Sequence, residues 1–451
     1  MNTAAEVIAG TAPWSVIQGD CVAGMRTLPD GCVHCCVTSP PYYGLRDYGT
    51  ATWEGGDPEC DHQRPPLGGS GESSVVSSDA NGAKKAACRT QQYRETCGRC
   101  GAVRIDQQIG LEDTPENYVA KLVGVFREVR RIMRPDATLW LNIADSYASG
   151  GGTPRPGEGK VAGRGANRNG VTVPVGCKPK DLIGIPWMLA FALRADGWYL
   201  RSEIIWAKPS PMPSSVRDRP TTAHEQMFLL AKQPRYFYDA QAIAEKAKTA
   251  GKPIKTAAGW DTSVGAVQAP TANKRSVWRI ASRSYKGAHF ATYPPKLVEP
   301  CVLAGTSAKG VCPACGAPWA REVKKDRRAT RPGDGSKVVS LRKDSATDIP
   351  GSPMYRGGSH NSGLAAMVGN RDPERHVTTT ETVGWNPSCG CDAGEAVGAI
   401  IFDPFAGSGT TLAVAVDHGR RGLGTELNAD YLTLIEARMS NITPNLFSEA
   451  M

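Results

Sequence analysis

The sequence lacks the two features that most directly indicate membrane insertion or export. Nowhere in its 451 residues is there a run approaching the roughly 18 consecutive apolar residues that a membrane span needs. The first residues, MNTAAEVIAGTAPW, also lack the basic and then apolar layout of a secretory signal peptide. We therefore expect a cytoplasmic protein with no membrane partner.

Acidic residues are in the minority. The chain has 53 Lys and Arg against 44 Asp and Glu, which gives a formal net charge of +9 and a pI near 8.9. Such a balance favours an anionic partner such as nucleic acid, although a soluble protein with a basic surface would show the same count. The 50 Gly and 33 Pro residues indicate long irregular insertions around a compact core.

Cysteine, by contrast, is abundant, with 14 residues. In a reducing compartment structural disulfides are not expected, so metal binding or simple burial must account for them. Two sets have the spacing of metal ligands: Cys60, His62, Cys97 and Cys100, and Cys312, Cys315, Cys389 and Cys391. Each set offers four ligands in two close pairs, as a closed tetrahedral zinc site requires. The sequence predicts two structural zinc ions, one in each set.

Apolar periodicity predicts alternating strands and helices. Short apolar runs predict strands at 14–20, 34–39, 138–145, 199–207, 225–232, 399–403 and 422–426, and helical spacing predicts helices at 115–133, 181–196, 410 onward and 429–440. This alternation indicates an α/β fold with a mostly parallel sheet between helices. Segments poor in periodic apolar residues are expected to be loops, linkers or insertions: 150–180, 246–275 and 320–388.

The first chemical motif is Asp403-Pro-Phe-Ala-Gly-Ser-Gly-Thr-Thr, between a predicted strand and a predicted helix. Its two glycines allow a ligand to approach the backbone, and the helix start offers free N–H groups. A P-loop would need a lysine here, and a dinucleotide loop would need a small residue where Leu412 stands. Glu426 closes the next strand, where a fold of this winding binds ribose hydroxyls. An ordinary strand-to-helix turn remains an alternative for this motif alone.

The second motif is Thr38-Ser-Pro-Pro-Tyr-Tyr, again directly after a predicted strand. Its prolines fix the backbone, so that a Ser39 hydroxyl and a Pro40 carbonyl could both accept the N–H groups of an exocyclic amine. That arrangement makes the amino nitrogen nucleophilic, and Tyr42 offers a face for a flipped-out base. A proline-rich turn with no chemical role would look the same in isolation.

Together the two motifs resemble the β class of S-adenosylmethionine-dependent DNA amino-methyltransferases, in which the catalytic tetrad precedes the cofactor loop. The resemblance implies a Rossmann-like methyltransferase fold with circularly permuted motif order. The zinc-binding insertions that the cysteine spacing predicts are not part of the family's minimal pattern. It assigns catalysis to Ser39, Pro40, Pro41 and Tyr42. It assigns S-adenosylmethionine binding to Asp20, His289, Asp403, Phe405, Gly407, Gly409, Thr410 and Glu426.

The resemblance and the cysteine spacing together predict an organisation along the chain. The expected segments are 1–53 with the tetrad, 54–104 as a zinc-binding insertion, 105–245 as the rest of the catalytic half, 246–285 as a linker and candidate target-recognition segment, 286–310 as the cofactor-closing segment, 311–392 as a zinc-ribbon-like insertion with a disordered loop, and 393–451 as the cofactor-binding half.

Within that family serine before Pro-Pro-Tyr is more frequent in cytosine-N4 enzymes, so cytosine N4 of double-stranded DNA is the expected target, with adenine N6 as the alternative. RNA or protein amides would also present a planar amino group. Lys208 and Trp278 lie in segments expected to contact the target. A restriction endonuclease is a candidate partner, and the oligomeric state is open.

Three further hypotheses need comparison with this one. Pro300-Cys301 is the dipeptide of cytosine-C5 methyltransferases, but there it follows the cofactor loop, and burial in a helix explains Cys301 better. A non-catalytic zinc-scaffolded nucleic-acid-binding protein would explain the charge and cysteines and leave both motifs unexplained. The hypothesis of a Rossmann oxidoreductase is weakened because Leu412 stands where a dinucleotide-binding loop needs a small residue.

Overall fold

A computed structural model gives the fold of the chain. It describes residues 2–44, 51–63, 93, 95–105, 108–148, 173–174, 176–214, 216–248, 270–282, 293–329, 376–392 and 394–442.

Four of the seven described helices begin at a residue whose side chain caps the first turn: Thr3, Asp20, Thr114 and Asn428. In order, the seven helices are α1 (Ala4–Ala9), α2 (Cys21–Arg26), α3 (Pro115–Ile132), α4 (Ile185–Ala195), α5 (Pro295–Gly305), α6 (Thr410–Asp417) and α7 (Ala429–Met439). In α3, for example, the Thr114 side chain accepts a hydrogen bond from the Asn117 N–H, and proline occupies the first turn. Its apolar stripe is buried, as the helical spacing predicted.

The strands, also numbered along the described chain, are β1 (Trp14–Gln18), β2 (Val33–Thr38), β3 (Thr52–Glu54), β4 (Val103–Ile105), β5 (Met133–Ile143), β6 (Tyr199–Ala207), β7 (His224–Ala231), β8 (Glu245–Lys246), β9 (Thr271–Ala272), β10 (Val277–Arg279), β11 (Trp319–Ala329), β12 (His376–Pro387), β13 (Ile400–Asp403) and β14 (Arg421–Glu426).

Eight of these strands form one large sheet in the order β1-β14-β13-β2-β5-β7-β6-β10. In this order, the first five strands are parallel to one another: β1, β14, β13, β2 and β5. β7 is antiparallel to β5 and β6, and β10 is parallel to β6. The predicted α/β fold is therefore confirmed, as is the order in which the tetrad strand β2 precedes the cofactor-loop strand β13.

Helices pack on both faces of this sheet. Neighbouring residues of a strand point to opposite faces, and in β1 Val16 joins the apolar cluster of α6 and α7. Its neighbour Ile17 packs against the larger cluster, which includes the buried stripes of α3 and α4. The core thus lies in two layers on either side of the sheet, as a Rossmann-like fold requires.

The chain divides into two compact units. The first comprises 1–239, 276–318 and 391–451, and contains the large sheet. The second comprises 240–275 and 319–390, and contains the ribbon of β11 paired antiparallel with β12. The segment 320–388, expected to be a linker or insertion, thus has a strand at each end, while 330–375 lies outside the described residues.

The sheet pairings of the second unit also include β8 with β9. Most of the linker expected at 246–275, and most of the loop expected at 150–180, lie outside the described residues. Among the helices that the structure describes, none combines the length and apolar character needed to cross a membrane.

Candidate active site and cysteine clusters

The two sequence motifs meet between the neighbouring strands β13 and β2, where the chain leaves toward opposite edges of the sheet. From β13 the chain passes through α6 to β14 on one side, and from β2 it passes through α3 to β5 on the other. In open α/β sheets, ligands bind at the carboxyl ends of strands at such a switch point. Here the Thr38 hydroxyl donates to Asp403 Oδ1 at 2.6 Å, joining residues that are 365 positions apart.

Asp403 organises the bottom of this site. It is 0% exposed, and its carboxylate accepts hydrogen bonds from Thr38, from the Phe405 N–H at 3.0 Å and from the Tyr293 hydroxyl at 2.8 Å. The Thr411 hydroxyl also lies 2.8 Å from its Oδ2. Burial raises the pKa of Asp403, although these donors oppose the increase. The side chain therefore fixes the two loops relative to each other.

Tyr293 belongs to the segment predicted to close over the cofactor, but it was not itself predicted as a site residue. Burial and the charge of Asp403 raise the pKa of its hydroxyl well above the ordinary value, so it remains a donor. His289, which was predicted in the same segment, lies outside the described residues.

Glu426 lies at the end of β14, beside the glycine-rich loop. Its Oε2 accepts from the Gly407 N–H at 2.7 Å and its Oε1 from the Asn428 N–H at 2.9 Å. The residue is only 9% exposed, and burial raises its pKa to about 7. Each carboxylate oxygen has a second lone pair, so the side chain can still accept hydroxyl donors from a ligand.

The glycine-rich loop leaves room for a ligand and offers it a polar group. Gly407 has a φ of +53°, and a Cβ built there would meet only its own loop, at the Phe405 carbonyl 3.8 Å away. The Ser408 hydroxyl is buried and has no hydrogen-bond partner among the residues that the structure describes. A buried unsatisfied hydroxyl is rare in proteins and is a candidate contact for a bound ligand.

The other predicted cofactor residues support the loop from inside. Gly409 caps α6 with a φ of +75°, and a Cβ there would lie 3.1 Å from Ile435. The Thr410 hydroxyl is bonded to Arg438, and Phe405 packs against the core. Asp20 caps α2 by accepting from the Ala23 N–H at 2.9 Å, at the end of the strand beside Glu426.

The tetrad forms a turn that is held by α3 and ends in a polar cluster. The Tyr118 hydroxyl of α3 donates to the Pro41 carbonyl at 2.8 Å. The Ser39 hydroxyl donates to the Tyr42 hydroxyl at 3.2 Å, and the Tyr42 hydroxyl donates to Glu225 Oε2 at 2.7 Å. Burial and the neighbouring Glu225 charge raise the pKa of Tyr42 well above its ordinary value. Tyr42 therefore stays protonated.

Lys208 completes this cluster, in a role that the sequence did not predict. Its Nζ donates to Glu225 Oε1 at 2.5 Å and lies 4.6 Å from the centre of the Trp206 ring. Lys208 lies in a segment expected to contact the target, and its ammonium group is here paired with Glu225. Trp278, which lies in another segment expected to contact the target, is 5% exposed and packs against Trp140 with ring centres 6.3 Å apart.

Cys301 lies apart from this site. It is 0% exposed in α5, and its thiol donates to the Leu297 carbonyl at 3.3 Å. The structure thus gives the burial that the sequence predicted for the residue.

The earlier cysteine set comes together with the geometry of a metal site. The ligand atoms of Cys60, His62, Cys97 and Cys100 all lie within 4.8 Å of one another. The Cys60 and Cys97 sulfurs are 3.8 Å apart, and Cys100 Sγ is 3.5 Å from His62 Nδ1. These separations match tetrahedral zinc, for which bonds of ~2.3 Å to sulfur and ~2.05 Å to nitrogen give edges of ~3.8 Å and ~3.6 Å.

The surroundings of this set favour metal binding. Backbone hydrogen bonds, first that of Ala102, lower the pKa of Cys100 to about 6, and the thiolate is the form that binds metal. β3 and β4 pair directly beside the cluster, and the His62 ring stacks on Trp53 at 4.3 Å. This short pair of strands thus joins the two ends of the insertion where the ligands lie.

The later set, Cys312, Cys315, Cys389 and Cys391, also has its four sulfurs within 4.8 Å. Its first pair lies in a tight turn, in which the Gly316 N–H donates to the Cys312 carbonyl at 2.8 Å. Arg134 donates to the Cys315 carbonyl at 2.5 Å, and His34 Nε2 lies 3.2 Å from the Gly316 carbonyl. The turn is thereby attached to the strands of the large sheet.

Comparison with known proteins identifies the class to which this fold and site belong. A DNA methylase family model, covering N6 and N4 enzymes, matches residues 33–312 and 390–437. The chain belongs to this family and is a DNA methyltransferase that acts on an amino nitrogen.

Curated relatives agree. The type II methyltransferase M.XycI of Xanthomonas campestris pv. cyanopsidis is 39% identical over 292 residues, which cover 65% of this chain and 72% of that protein. The type II methyltransferase M.SmaI of Serratia marcescens is 39% identical over 295 residues, covering 65% and 76%. Among solved structures, the PvuII cytosine-N4-specific DNA methyltransferase aligns with a TM-score of 0.44 and 12% identity over 96% of this chain and 89% of that one.

Proposed function

We propose that the enzyme methylates cytosine N4 at a specific site in double-stranded DNA, with S-adenosylmethionine as methyl donor. The observation that carries the proposal is the switch-point contact between Thr38 and Asp403. It brings the Ser-Pro-Pro-Tyr tetrad and the glycine-rich loop to the same end of the sheet, so that an amino nitrogen and a methyl donor could meet there.

The residues present fit S-adenosylmethionine. Glu426 would accept the ribose hydroxyls, the position of Asp20 suits the adenine end, and the Ser408 hydroxyl and the open backbone at Gly407 suit the amino-acid end. When bound, the cofactor supplies an electrophilic methyl group on a sulfonium. The acidic side chains and the loop would orient that group toward the tetrad.

In the tetrad, the Ser39 hydroxyl and the Pro40 carbonyl would accept the two N–H groups of the amine. These hydrogen bonds draw the nitrogen lone pair out of ring conjugation and toward the methyl group. The ring of Tyr42 would stack on a flipped-out base, because a base inside the duplex cannot reach this site. Serine at position 39, in place of aspartate, is the reason for proposing cytosine over adenine.

We also propose one structural zinc ion in each cysteine set. Four protein ligands leave no open position for water, so neither ion would take part in the chemistry. The first would secure the base of the insertion around 54–104, and the second the base of the insertion around 311–392. The named relatives are type II methyltransferases, so a restriction endonuclease that recognises the same DNA site is the proposed biological partner.

Mass spectrometry of nucleosides from plasmid DNA of cells that express the protein would test the function. We expect N4-methylcytosine with wild type and its loss with Ser39→Ala. N6-methyladenine in its place would keep the mechanism and change the base, whereas 5-methylcytosine would contradict the proposal. Sequencing of the modified positions would then give the recognition site.

A further inference from the structure

We propose that Glu225 is the proton acceptor of methyl transfer, and that the proton reaches it through Ser39 and Tyr42. The inference rests on the proposed role of Ser39 as the acceptor of the target amine. It adds a carboxylate from β7, far outside both sequence motifs, to the reacting groups.

The hydrogen bonds have a single consistent direction. A phenol has one hydrogen, and that of Tyr42 is directed to Glu225 Oε2 at 2.7 Å, because the other acceptor, Asn142 Oδ1, is farther away at 3.1 Å. The Tyr42 oxygen can then accept the hydrogen of Ser39, whose Oγ lies 3.2 Å away. The Ser39 oxygen is left with its lone pairs free for an N–H donor.

The carboxylate is placed as a buried base rather than as a surface charge. Glu225 is 9% exposed, and a buried carboxylate needs a partner to offset its desolvation. Lys208 provides this partner on Oε1 at 2.5 Å and leaves Oε2 directed at Tyr42. The register of β6 and β7, with Trp206 opposite Glu225, sets this geometry.

The other polar groups around the tetrad are less suited to accept the proton. The Asn142 side chain donates to the Gln226 carbonyl at 3.1 Å, and an amide is not a base at neutral pH. Asp403 is occupied through both oxygens by Thr38 and Tyr293. Among the described residues, Glu225 is the carboxylate that the structure joins to Ser39 by hydrogen bonds.

Methyl transfer creates the need for such an acceptor. A bond forms between the amino nitrogen and the methyl carbon, and the methyl–sulfur bond breaks with its electron pair remaining on sulfur. The nitrogen then carries one proton too many. Ser39 takes this proton as its own moves to Tyr42, and Tyr42 passes its proton to Glu225. The product base is neutral, and Glu225 later releases the proton to solvent.

Single-turnover methylation of a DNA duplex, with excess enzyme preloaded with S-adenosylmethionine, tests the relay. Glu225→Gln keeps the size of the side chain and cannot take a proton, so we expect the rate to fall about 10²-fold, the low end for general base catalysis. Tyr42→Phe keeps the ring for stacking and should fall by a similar factor. The double variant should fall no further than either single variant, because the two residues act as a unit.

Three controls separate a proton acceptor from a structural residue. Glu203→Gln removes a carboxylate from the neighbouring strand β6 and should keep the wild-type rate. Cofactor affinity by calorimetry should not change in Glu225→Gln, whereas its melting temperature should fall, because Lys208 loses the charge with which it pairs. Formate should restore part of the rate of Glu225→Ala, because it supplies a carboxylate beside Lys208, and it should not restore Tyr42→Phe.

A Glu225→Gln rate within about threefold of wild type would overturn the proposal. So would additive losses in the double variant, a loss of cofactor affinity, or no restoration of Glu225→Ala by formate. If wild type itself methylates no amino group in any DNA, the proposed function fails instead. The two failures are therefore distinguishable.

Discussion

Cofactor affinity should depend on pH through Glu426. Burial raises the pKa of this carboxyl to about 7, so near neutral pH a substantial fraction of the free enzyme carries it protonated. Ribose hydroxyls donate hydrogen bonds to the ionised carboxylate, and a protonated carboxyl has lost acceptor capacity. S-adenosylmethionine should therefore select the ionised form, and binding at low pH must first remove the proton.

The size of the effect follows from linkage. If only the ionised form binds, the apparent dissociation constant is multiplied by one plus ten raised to the difference between pKa and pH. With the pKa of about 7, affinity should weaken about tenfold from pH 8 to pH 6, or about 1.4 kcal/mol. Nearly one proton should be released for each cofactor bound at pH 6.

The apo enzyme should show the opposite trend in stability. Because the folded-state pKa of Glu426 lies above the ordinary value of 4.5, the folded state holds this proton more tightly than the unfolded chain. Its contribution therefore makes the apo protein less stable as pH rises from about 4.5 to about 7. The difference in melting temperature between wild type and Glu426→Gln isolates this contribution from those of other groups.

Calorimetric titrations with S-adenosylmethionine at pH 6, 7 and 8, in two buffers of different ionisation enthalpy, measure both affinity and proton release. Glu426→Gln should bind weakly with little dependence on pH. Glu436→Gln, which changes an exposed carboxylate on α7, should behave as wild type. A wild-type affinity that is constant from pH 6 to pH 8, without proton release, would refute the reasoning.

Three further outcomes are expected. Cys301→Ala should retain methylation, and DNA with 5-fluorocytosine should form no covalent adduct, whereas an adduct trapped at Cys301 would reverse the chemistry. Elemental analysis should find about two zinc ions per chain in wild type and about one in Cys97→Ser. A metal-free preparation that is fully active would contradict the structural role of the zinc ions. Thr38→Val should lower the free energy of unfolding by about 1–3 kcal/mol, because it leaves a buried Asp403 oxygen short of a donor; an unchanged denaturation midpoint would argue against that role.

The regular elements could be predicted because burial leaves a periodic pattern. The helix predicted at 115–133 is α3 at 115–132, and the strand predicted at 199–207 is β6. Each has an apolar stripe that faces the core, so the sequence carries the signal directly. β5 extends N-terminal to its predicted start at 138, where its residues are more polar.

The ribbon of β11 and β12 could not be predicted in the same way. Its sequences, WAREVKKDRRA and HVTTTETVGWNP, have no regular alternation of apolar and polar residues. A two-stranded ribbon outside the large sheet buries little of either face, so no apolar alternation is required of it. The pairing register itself, in which Trp319 faces Pro387, is a long-range property.

The residues of the candidate site were likewise predictable only where a local sequence motif contains them. The tetrad and the loop from Asp403 to Thr411 are local motifs, and the sequence revealed them. Glu225 and Lys208 carry no local signal and meet only because β6 and β7 pair in one register. Tyr293 reaches Asp403 across 110 positions. Sequence periodicity indicated that the segments containing these three residues are strands or helix starts. It did not indicate which side chains the three residues would contact.

Strand β2 connects the two kinds of site at its opposite ends. Beyond its carboxyl end lies Ser39, with the groups proposed for chemistry. Near its amino end, partly buried His34 accepts the Ile400 N–H on Nδ1 at 3.0 Å and so presents Nε2 as the donor to the Gly316 carbonyl. Burial lowers the pKa of His34 to about 3, so the ring stays neutral and this orientation is fixed. The turn from Cys312 to Gly316 is thus bound to the sheet at the end away from the tetrad, which agrees with a metal that stabilises the fold and takes no part in the reaction.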